Sequence, residues 1–183
     1  MTLWSGVKRR VFISFYKGDS AEVIDYARWA DKAGVMTPYL LDRDFDDSLV
    51  RSNDTDYVMR IIRRDFIRDS TVTLVMLGSC THGRRYVDWE IKASLRQGEV
   101  YTPNGLFGMT LPSSRFVPAL PPRFEANCRT GYAAWYKPLC SVEFLGAALD
   151  AAYAARSGSS HLIVNPADRM RYSRQCQICR VTH

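Results

Sequence analysis

Apolar and polar positions in the first part of the chain predict a strand followed by a helix. A run of apolar and β-branched residues over 10–15 predicts the strand, and the polar turn after it contains Asp and Ser, both frequent helix N-caps. Over 21–33, Val23, Ala27 and Ala30 recur at helical spacing. This part of the chain is therefore expected to form strand, loop and helix in that order.

Two more strands and two more helices are predicted over the middle of the chain. Residues 35–41 are a candidate strand, which Pro38 confines to a sheet edge because proline has no N–H for the ladder. The continuous apolar run 71–77 is typical of a central strand that is buried on both faces. Amphipathic patterns predict helices at 57–69 and 86–97.

The pattern is less regular towards the end of the chain. Strands are expected over 105–111 and, from its aromatic content, over 132–136. Between them, residues 112–124 contain four prolines and are predicted to be irregular. An Ala-rich helix is expected over 141–155, and the pattern fades after Gly158.

Strands that alternate with helices predict an α/β fold, a parallel sheet with helices on both faces. Ligand sites in such folds lie at the carboxyl ends of the strands. That rule selects three segments, namely 14–20, the Asp-rich stretch 42–56 and 78–90. A length of 183 residues fits one domain, predicted over 1–156, with a basic tail over 157–183.

Composition and charge narrow the class of protein. No apolar run approaches the roughly 18 to 20 residues that a membrane helix needs, and an apolar fraction of 46% is too high for a disordered chain. The net charge of +6 would fit a nucleic-acid partner, but the residues from Arg156 onward hold five arginines and one acid, hence +4 of it. Because duplex binding needs a broad basic face, this distribution of charge argues against a nucleic-acid partner. The lack of a long apolar run gives the expectation of no membrane contact.

The five cysteines, at positions 80, 128, 140, 176 and 179, are an odd number. Because the first residues also lack the apolar core of a secretion signal, we expect a reduced, cytoplasmic protein. Cys176 and Cys179 form a CxxC pair with His183 close behind, but a structural zinc site needs four ligands and His161 would have to complete it. The sequence therefore predicts free thiols in the tail, a packing role for Cys80, and no metal site.

Several common enzyme signatures do not occur in the sequence: GxGxxG, the P-loop pattern, HExxH and GxSxG. The remaining candidate chemistry lies in 78–90, where a buried strand ends in a polar loop and the next helix carries Trp89 and Glu90. One interpretation makes Glu90 a solvated acid and Trp89 a core residue. The other places Glu90 beside the buried stripe of the helix, with its carboxylate directed across the strand ends.

Four short motifs share the order and spacing of a known family. They are Arg10–Phe15 with Asp19, Phe45–Leu49, Val72–Gly78 and Arg84–Ile91. In these motifs the chain resembles the ThsB-like family of TIR-like sensors in bacterial Thoeris anti-phage defence. The resemblance implies a flavodoxin-like fold.

The same resemblance implies an enzyme that cleaves the nicotinamide glycosidic bond of NAD⁺. Its product would be an ADP-ribose-derived signal, either a cyclic ADP-ribose isomer or an ADP-ribose conjugate. The catalytic residue that it implies is Glu90, and NAD⁺ is the substrate, with no cofactor required. The matched positions expected around the substrate are Ser14, Phe15, Asp19, Asp46 and Ser48.

Substrate chemistry adds three candidates to these matched positions. The carboxylate of Glu90 suits an oxocarbenium-like ribose, because opposite charge stabilises the developing cation. The backbone amide of Ser79 or the guanidinium of Arg85 can hold the pyrophosphate. Trp89, like Phe15, can stack on the nicotinamide ring.

The resemblance also implies partners. They are a phage component, such as a capsid protein, that triggers the enzyme, a downstream effector that the nucleotide signal activates, and further copies of the chain in a homo-oligomer or filament. Two rival functions stay open. One is a non-catalytic TIR-like module that binds proteins or a nucleotide, and the other is a basic nucleic-acid binder.

Overall fold

The computed structural model describes residues 4–40, 55–99, 101–114, 117–166 and 168–182. Within these ranges, no helix combines the length and the apolar content needed to span a membrane. Five strands form one parallel sheet: β1 (Arg9–Ser14), β2 (Met36–Tyr39), β3 (Val72–Leu77), β4 (Gly105–Thr110) and β5 (Ala134–Tyr136).

The strand order is β2-β1-β3-β4-β5, which is the doubly wound, flavodoxin-like order. This confirms the predicted fold class. All six residues of β3 are buried, as expected for a central strand. β2, which contains Pro38, lies at a sheet edge, where a missing N–H costs no ladder hydrogen bond.

Five α-helices accompany the strands in the described ranges: α1 (Ser20–Lys32), α2 (Thr55–Ile61), α3 (Arg85–Ser94), α4 (Pro122–Thr130) and α5 (Val142–Gly158). The chain continues from α2 as a π-helical stretch over Ile62–Ile67. There the Arg68 N–H donates to the Arg63 carbonyl at 2.9 Å, which is the i to i+5 spacing of a π-helix. Short 3₁₀ turns occupy Lys17–Asp19, Thr81–Gly83 and Ser160–Leu162.

The helices cover both faces of the sheet. α1 and α5 pack on one face, against side chains such as Val11 and Ile13. α2, α3 and α4 pack on the other face, where the neighbouring strand residue Phe12 points. The central strands β3 and β4 are therefore buried on both sides, which explains why β3 is one continuous apolar run in the sequence.

α4 corrects the prediction of an irregular segment over 112–124, because the helix begins at Pro122. It has only nine residues and one large apolar side chain, Phe124, so it shows little helical periodicity. Its signals are local ones: proline in the first turn, and Gly131 after the last turn with a φ of 83°.

Candidate functional site

The carboxyl ends of three neighbouring parallel strands, β1, β3 and β4, lie side by side at one end of the sheet. Gly78 follows β3, Leu111 follows β4, and Asp19 belongs to the turn after β1. A Cβ atom built on Gly78 would lie 2.1 Å from Asp19 Oδ2 and 2.9 Å from Leu111 Cδ1. Glycine at this position therefore lets the Asp19 carboxylate approach the end of the central strand.

Glu90 lies in direct contact with the last residue of β1. The Ser14 hydroxyl donates a hydrogen bond to Glu90 Oε2 at 2.5 Å, and the two residues are 0% and 5% exposed. Val87, Ile91 and Leu95 pack on the sheet from α3, which turns the neighbouring Glu90 towards β1. Glu90 is thus buried, and the interpretation of a solvated acid is wrong.

A chain of buried hydrogen bonds fixes the backbone around Glu90. The Ser94 hydroxyl donates to the Glu90 carbonyl at 2.9 Å, and Thr73 of β3 donates to the Ser94 oxygen at 2.7 Å. The Asn104 amide in turn donates to Thr73 at 3.2 Å. Because each member is buried and hydrogen-bonded, this chain holds α3 in a defined register against β3.

Arg84 is a candidate residue that sequence reasoning missed. It is 6% exposed, its Nε donates to the Cys80 carbonyl at 3.1 Å, and its guanidinium lies 4.1 Å from the centre of the Tyr16 ring. Within the described residues, neither Nη atom of Arg84 has a hydrogen-bond acceptor, and the buried Oδ2 of Asp19 has no hydrogen-bond donor. Buried polar atoms of this kind are costly unless a ligand satisfies them.

The signal that could have identified Arg84 is its position directly before the helix that carries Glu90. Arg84 occupies the N-cap position of α3, with an extended backbone, and therefore belongs to the loop at the strand ends. Arg85 is the first residue of the helix itself, and its guanidinium lies over the rings of Tyr86 and Trp89 at 4.8 and 5.5 Å. Arg84, rather than Arg85, is the arginine that lies close to Asp19.

Trp89 lies inside the core. Its side chain is 2% exposed and packs with Phe12 of β1, and its indole N–H donates to the Met170 carbonyl at 2.8 Å. The core interpretation of Trp89 is therefore confirmed. Stacking of Trp89 on nicotinamide, and pyrophosphate binding by Arg85, stay predictions.

The other predicted residues are distributed around the strand ends. Phe15 is half-buried against the core on the α1 side. Ser79 is exposed in the loop after β3, and its carbonyl accepts a hydrogen bond from the Cys176 thiol at 3.3 Å. Asp46 and Ser48 lie outside the described residues, so their roles stay predictions.

The tail contacts α3 across the predicted boundary at residue 156. Asp88 accepts hydrogen bonds from Arg123 Nε at 2.9 Å and from the Met170 N–H at 2.8 Å. Arg123 also donates to the Asp168 carbonyl at 2.6 Å. α3, which carries Glu90, is therefore held by both the sheet and the tail.

A basic concave region lies at the amino ends of the strands, on the side of the sheet opposite to the strand ends near Glu90. Its cavity of about 840 Å³ adjoins Ser70 and Asn104, which precede β3 and β4. None of the predicted site residues that the structure describes lines it. Its lining includes six arginines: Arg60, Arg63, Arg64, Arg68, Arg96 and Arg156.

Burial changes the acidity of Asp19. Loss of solvation, reinforced by the nearby Glu22 carboxylate and opposed by Arg84, raises the pKa of Asp19 from 3.8 to about 6. The charged form of this carboxyl group is therefore less favourable in the folded chain than in the unfolded chain.

Substitution of Asp19 by asparagine tests this electrostatic arrangement. Because the folded-state pKa is raised, wild-type stability relative to Asp19→Asn is greatest below about pH 4 and falls as the pH rises through about 6. Urea unfolding of both proteins across this range measures the difference. Asp25→Asn, at a side chain that is 77% exposed, is the matched control. A stability difference for Asp19→Asn that stays constant with pH would contradict the assignment.

Comparison with known protein families identifies the family of this chain. The family model described as Thoeris protein ThsB, TIR-like domain, matches residues 12–115, more than half of the chain. The match includes Ser14, Asp19, Arg84 and Glu90. A search of curated proteins gives no significant match. The chain therefore belongs to the family of TIR-like domains found in the Thoeris protein ThsB.

Proposed function

We propose that this Thoeris-related TIR-like protein is an enzyme that cleaves NAD⁺ and converts its ADP-ribose portion into a signal. The observation that carries the proposal is the buried carboxylate of Glu90, which the Ser14 hydroxyl holds at the carboxyl ends of the strands. Ligand sites of doubly wound sheets lie at this edge.

The proposed reaction breaks the bond between the ribose C1′ and the nicotinamide nitrogen. The bonding electron pair leaves with nicotinamide, which departs as a neutral molecule, and the ribose becomes an oxocarbenium-like cation. The carboxylate of Glu90 stabilises that cation, since electrostatic stabilisation is strong in a water-poor site. An acceptor atom then bonds to C1′ through its lone pair, and an O–H or N–H acceptor releases its proton to solvent, which completes the ADP-ribose-derived product.

The hydrogen bond from Ser14 positions the carboxylate. It fixes Oε2 of Glu90 at the end of β1, while the packing of α3 on the sheet fixes the backbone of Glu90. A preorganised charge needs no reorientation when the cation forms, which is the main source of electrostatic catalysis. Ser14 is therefore a positioning residue in this proposal.

The proposed pyrophosphate site centres on Arg84. Its buried guanidinium presents planar donors at the strand-end edge, and such donors suit phosphate oxygens. Asp19, next to it, has a buried Oδ2 without a partner among the described residues, and this oxygen can accept a hydrogen bond from a ribose hydroxyl. Arg84 thus takes the role that the sequence had suggested for Arg85.

Burial of these groups supports activation by a trigger. Glu90 is 5% exposed and Arg84 is 6% exposed, so a bound dinucleotide reaches them only after neighbouring segments move. A phage component, or assembly of several chains, would supply that rearrangement. The nucleotide product would then carry the signal to a downstream effector.

The test uses the purified chain, NAD⁺ and extracts from infected or uninfected cells. We expect nicotinamide release that depends on the infected extract and that exceeds the release in a mixture containing Glu90→Ala. Intact NAD⁺, together with tight binding of a partner from the infected extract, would contradict the enzyme and favour the non-catalytic module.

A further inference from the structure

Three thiols from distant parts of the sequence lie together beside the strand-end loop. Cys80 belongs to the loop after β3, whereas Cys176 and Cys179 belong to a turn in the tail. The three sulfur atoms lie within 4.8 Å of one another, and those of Cys80 and Cys179 are 3.4 Å apart. The CxxC spacing in the sequence places only Cys176 and Cys179 together, and the fold adds Cys80 to them.

These separations match the ligand shell of a tetrahedral metal ion. With Zn–S bonds of about 2.3 Å, two sulfur ligands of zinc lie about 3.8 Å apart. The sulfur atoms of Cys80 and Cys179 are 3.4 Å apart, close to that value, and no two of the three sulfurs are more than 4.8 Å apart. Small side-chain rotations would therefore suffice to place one ion between the three sulfurs.

The turn around Cys176 is built to support a thiolate. The backbone N–H groups of Ile178 and Cys179 both point at the Cys176 sulfur, each at 3.4 Å. N–H groups that point at a sulfur atom stabilise a negative charge on it, and the thiolate is the form in which cysteine binds a metal ion. Cys176 is 0% exposed, so this negative charge is sheltered from water.

The charge of the surroundings also fits a bound cation. Cysteine binds zinc as a thiolate, so three cysteine ligands bring three negative charges to the ion. A divalent ion with three thiolates has a net charge of −1. The guanidinium of Arg84, whose Nε donates to the Cys80 carbonyl, lies beside the cluster and balances this charge.

We propose that Cys80, Cys176 and Cys179 bind one zinc ion as three thiolate ligands, with the fourth position left to a solvent or exogenous ligand. Each thiol releases its proton to solvent when the ion binds. His82 supports the turn instead of ligating, because its Nε2 accepts a hydrogen bond from the Gln177 N–H at 3.2 Å. The proposal does not depend on NAD⁺ cleavage.

The ion would link the tail, through Cys176 and Cys179, to the loop that leads into α3, through Cys80. That loop and the tail already share a hydrogen bond of 2.8 Å from the Arg174 N–H to the Gly83 carbonyl. A Cβ atom on Gly83 would lie 2.8 Å from the Arg174 carbonyl oxygen, so the two backbones are in close contact. Removal of zinc should therefore loosen the tail and expose it to proteases.

The experiment measures zinc in the full chain, purified under reducing conditions. We expect about one zinc ion per chain. The affinity for zinc should fall at least about tenfold in Cys80→Ser, Cys176→Ser and Cys179→Ser, since even supporting residues of metal sites cost that much, and the zinc content of the purified variants should fall with it. Cys128→Ser is the matched control, because Cys128 is half-buried outside the cluster and should leave the zinc content unchanged.

A second measurement, on the wild-type chain, tests the site even if a cysteine variant fails to fold. Co²⁺ added to the reduced wild-type chain should produce thiolate-to-cobalt charge-transfer absorption, and Zn²⁺ should abolish it. A reduced wild-type chain that takes up neither ion would overturn the proposal. So would zinc that persists in all three cysteine variants, or a disulfide between Cys80 and Cys179 in a chain that still binds no metal after reduction.

Discussion

The Glu90→Gln variant is expected to cleave NAD⁺ at least about 100-fold more slowly than the wild type, because it lacks the charge that stabilises the ribose cation. Glutamine has nearly the shape of glutamate and still accepts the hydrogen bond from Ser14, so the fold should persist. Nicotinamide release by the triggered protein measures the rate, and thermal unfolding verifies that the variant is folded.

Glu143→Gln is a closely matched control for this substitution. Glu143 also accepts a hydrogen bond of 2.5 Å from a serine hydroxyl, that of Ser141, but it lies exposed at the start of α5. Its substitution should leave nicotinamide release unchanged. NAD⁺ cleavage at the wild-type rate by folded Glu90→Gln would remove Glu90 from the mechanism.

The Arg123→Met variant is expected to lose about 3–5 kcal/mol of folding stability. The guanidinium of Arg123 pairs with Asp88 at 2.9 Å, and both side chains are less than a tenth exposed, at 4% and 6%. Methionine occupies a similar volume but leaves the Asp88 carboxylate buried without its counter-charge. It also removes the hydrogen bond from Arg123 to the Asp168 carbonyl in the tail.

Arg129→Met in the same helix provides the comparison. Arg129 pairs with Glu125 one turn away, but its side chain is 75% exposed, and such surface pairs contribute about 0.3–0.5 kcal/mol. Urea unfolding of both variants measures the difference. Equal, small losses in the two variants would contradict a structural role for the buried pair.

The sheet could be predicted largely because its signals are local. Strand β3 is buried on both faces and therefore reads as an unbroken apolar run, and Pro38 marks β2 as an edge strand. α4 escaped prediction for the opposite reason. It buries Phe124 together with two polar residues, Arg123 and Asn127, so its buried face is not apolar in sequence.

The candidate site was only partly accessible from the sequence. The resemblance selected Glu90, and the helical stripe of α3 allowed, beside a solvated position, a carboxylate that faces the strand ends, where Ser14 contacts it. The choice between Arg84 and Arg85 depends on where α3 begins, and helix boundaries are poorly determined by pattern. The thiol cluster joins residues almost a hundred positions apart, a contact that no local signal encodes.

The distribution of charge along the sequence also predicted only part of the arrangement of the arginines. The excess of arginine in the tail was visible, but the contacts of Met170 in the tail with Trp89 and Asp88 of α3 were not. The arginines around the cavity at the amino ends of the strands come from three separate regions of the sequence, so their grouping depends on the fold.

The central claim is that the carboxylate of Glu90 makes this protein an NAD⁺-cleaving enzyme. Its most direct test is chromatographic analysis of nucleotides from phage-infected cells that carry either the wild-type chain or Glu90→Ala at equal abundance. We expect NAD⁺ loss, nicotinamide and an ADP-ribose-derived product in the cells with the wild-type chain and not in those with Glu90→Ala. Identical nucleotide profiles from the two infected cultures would contradict the claim.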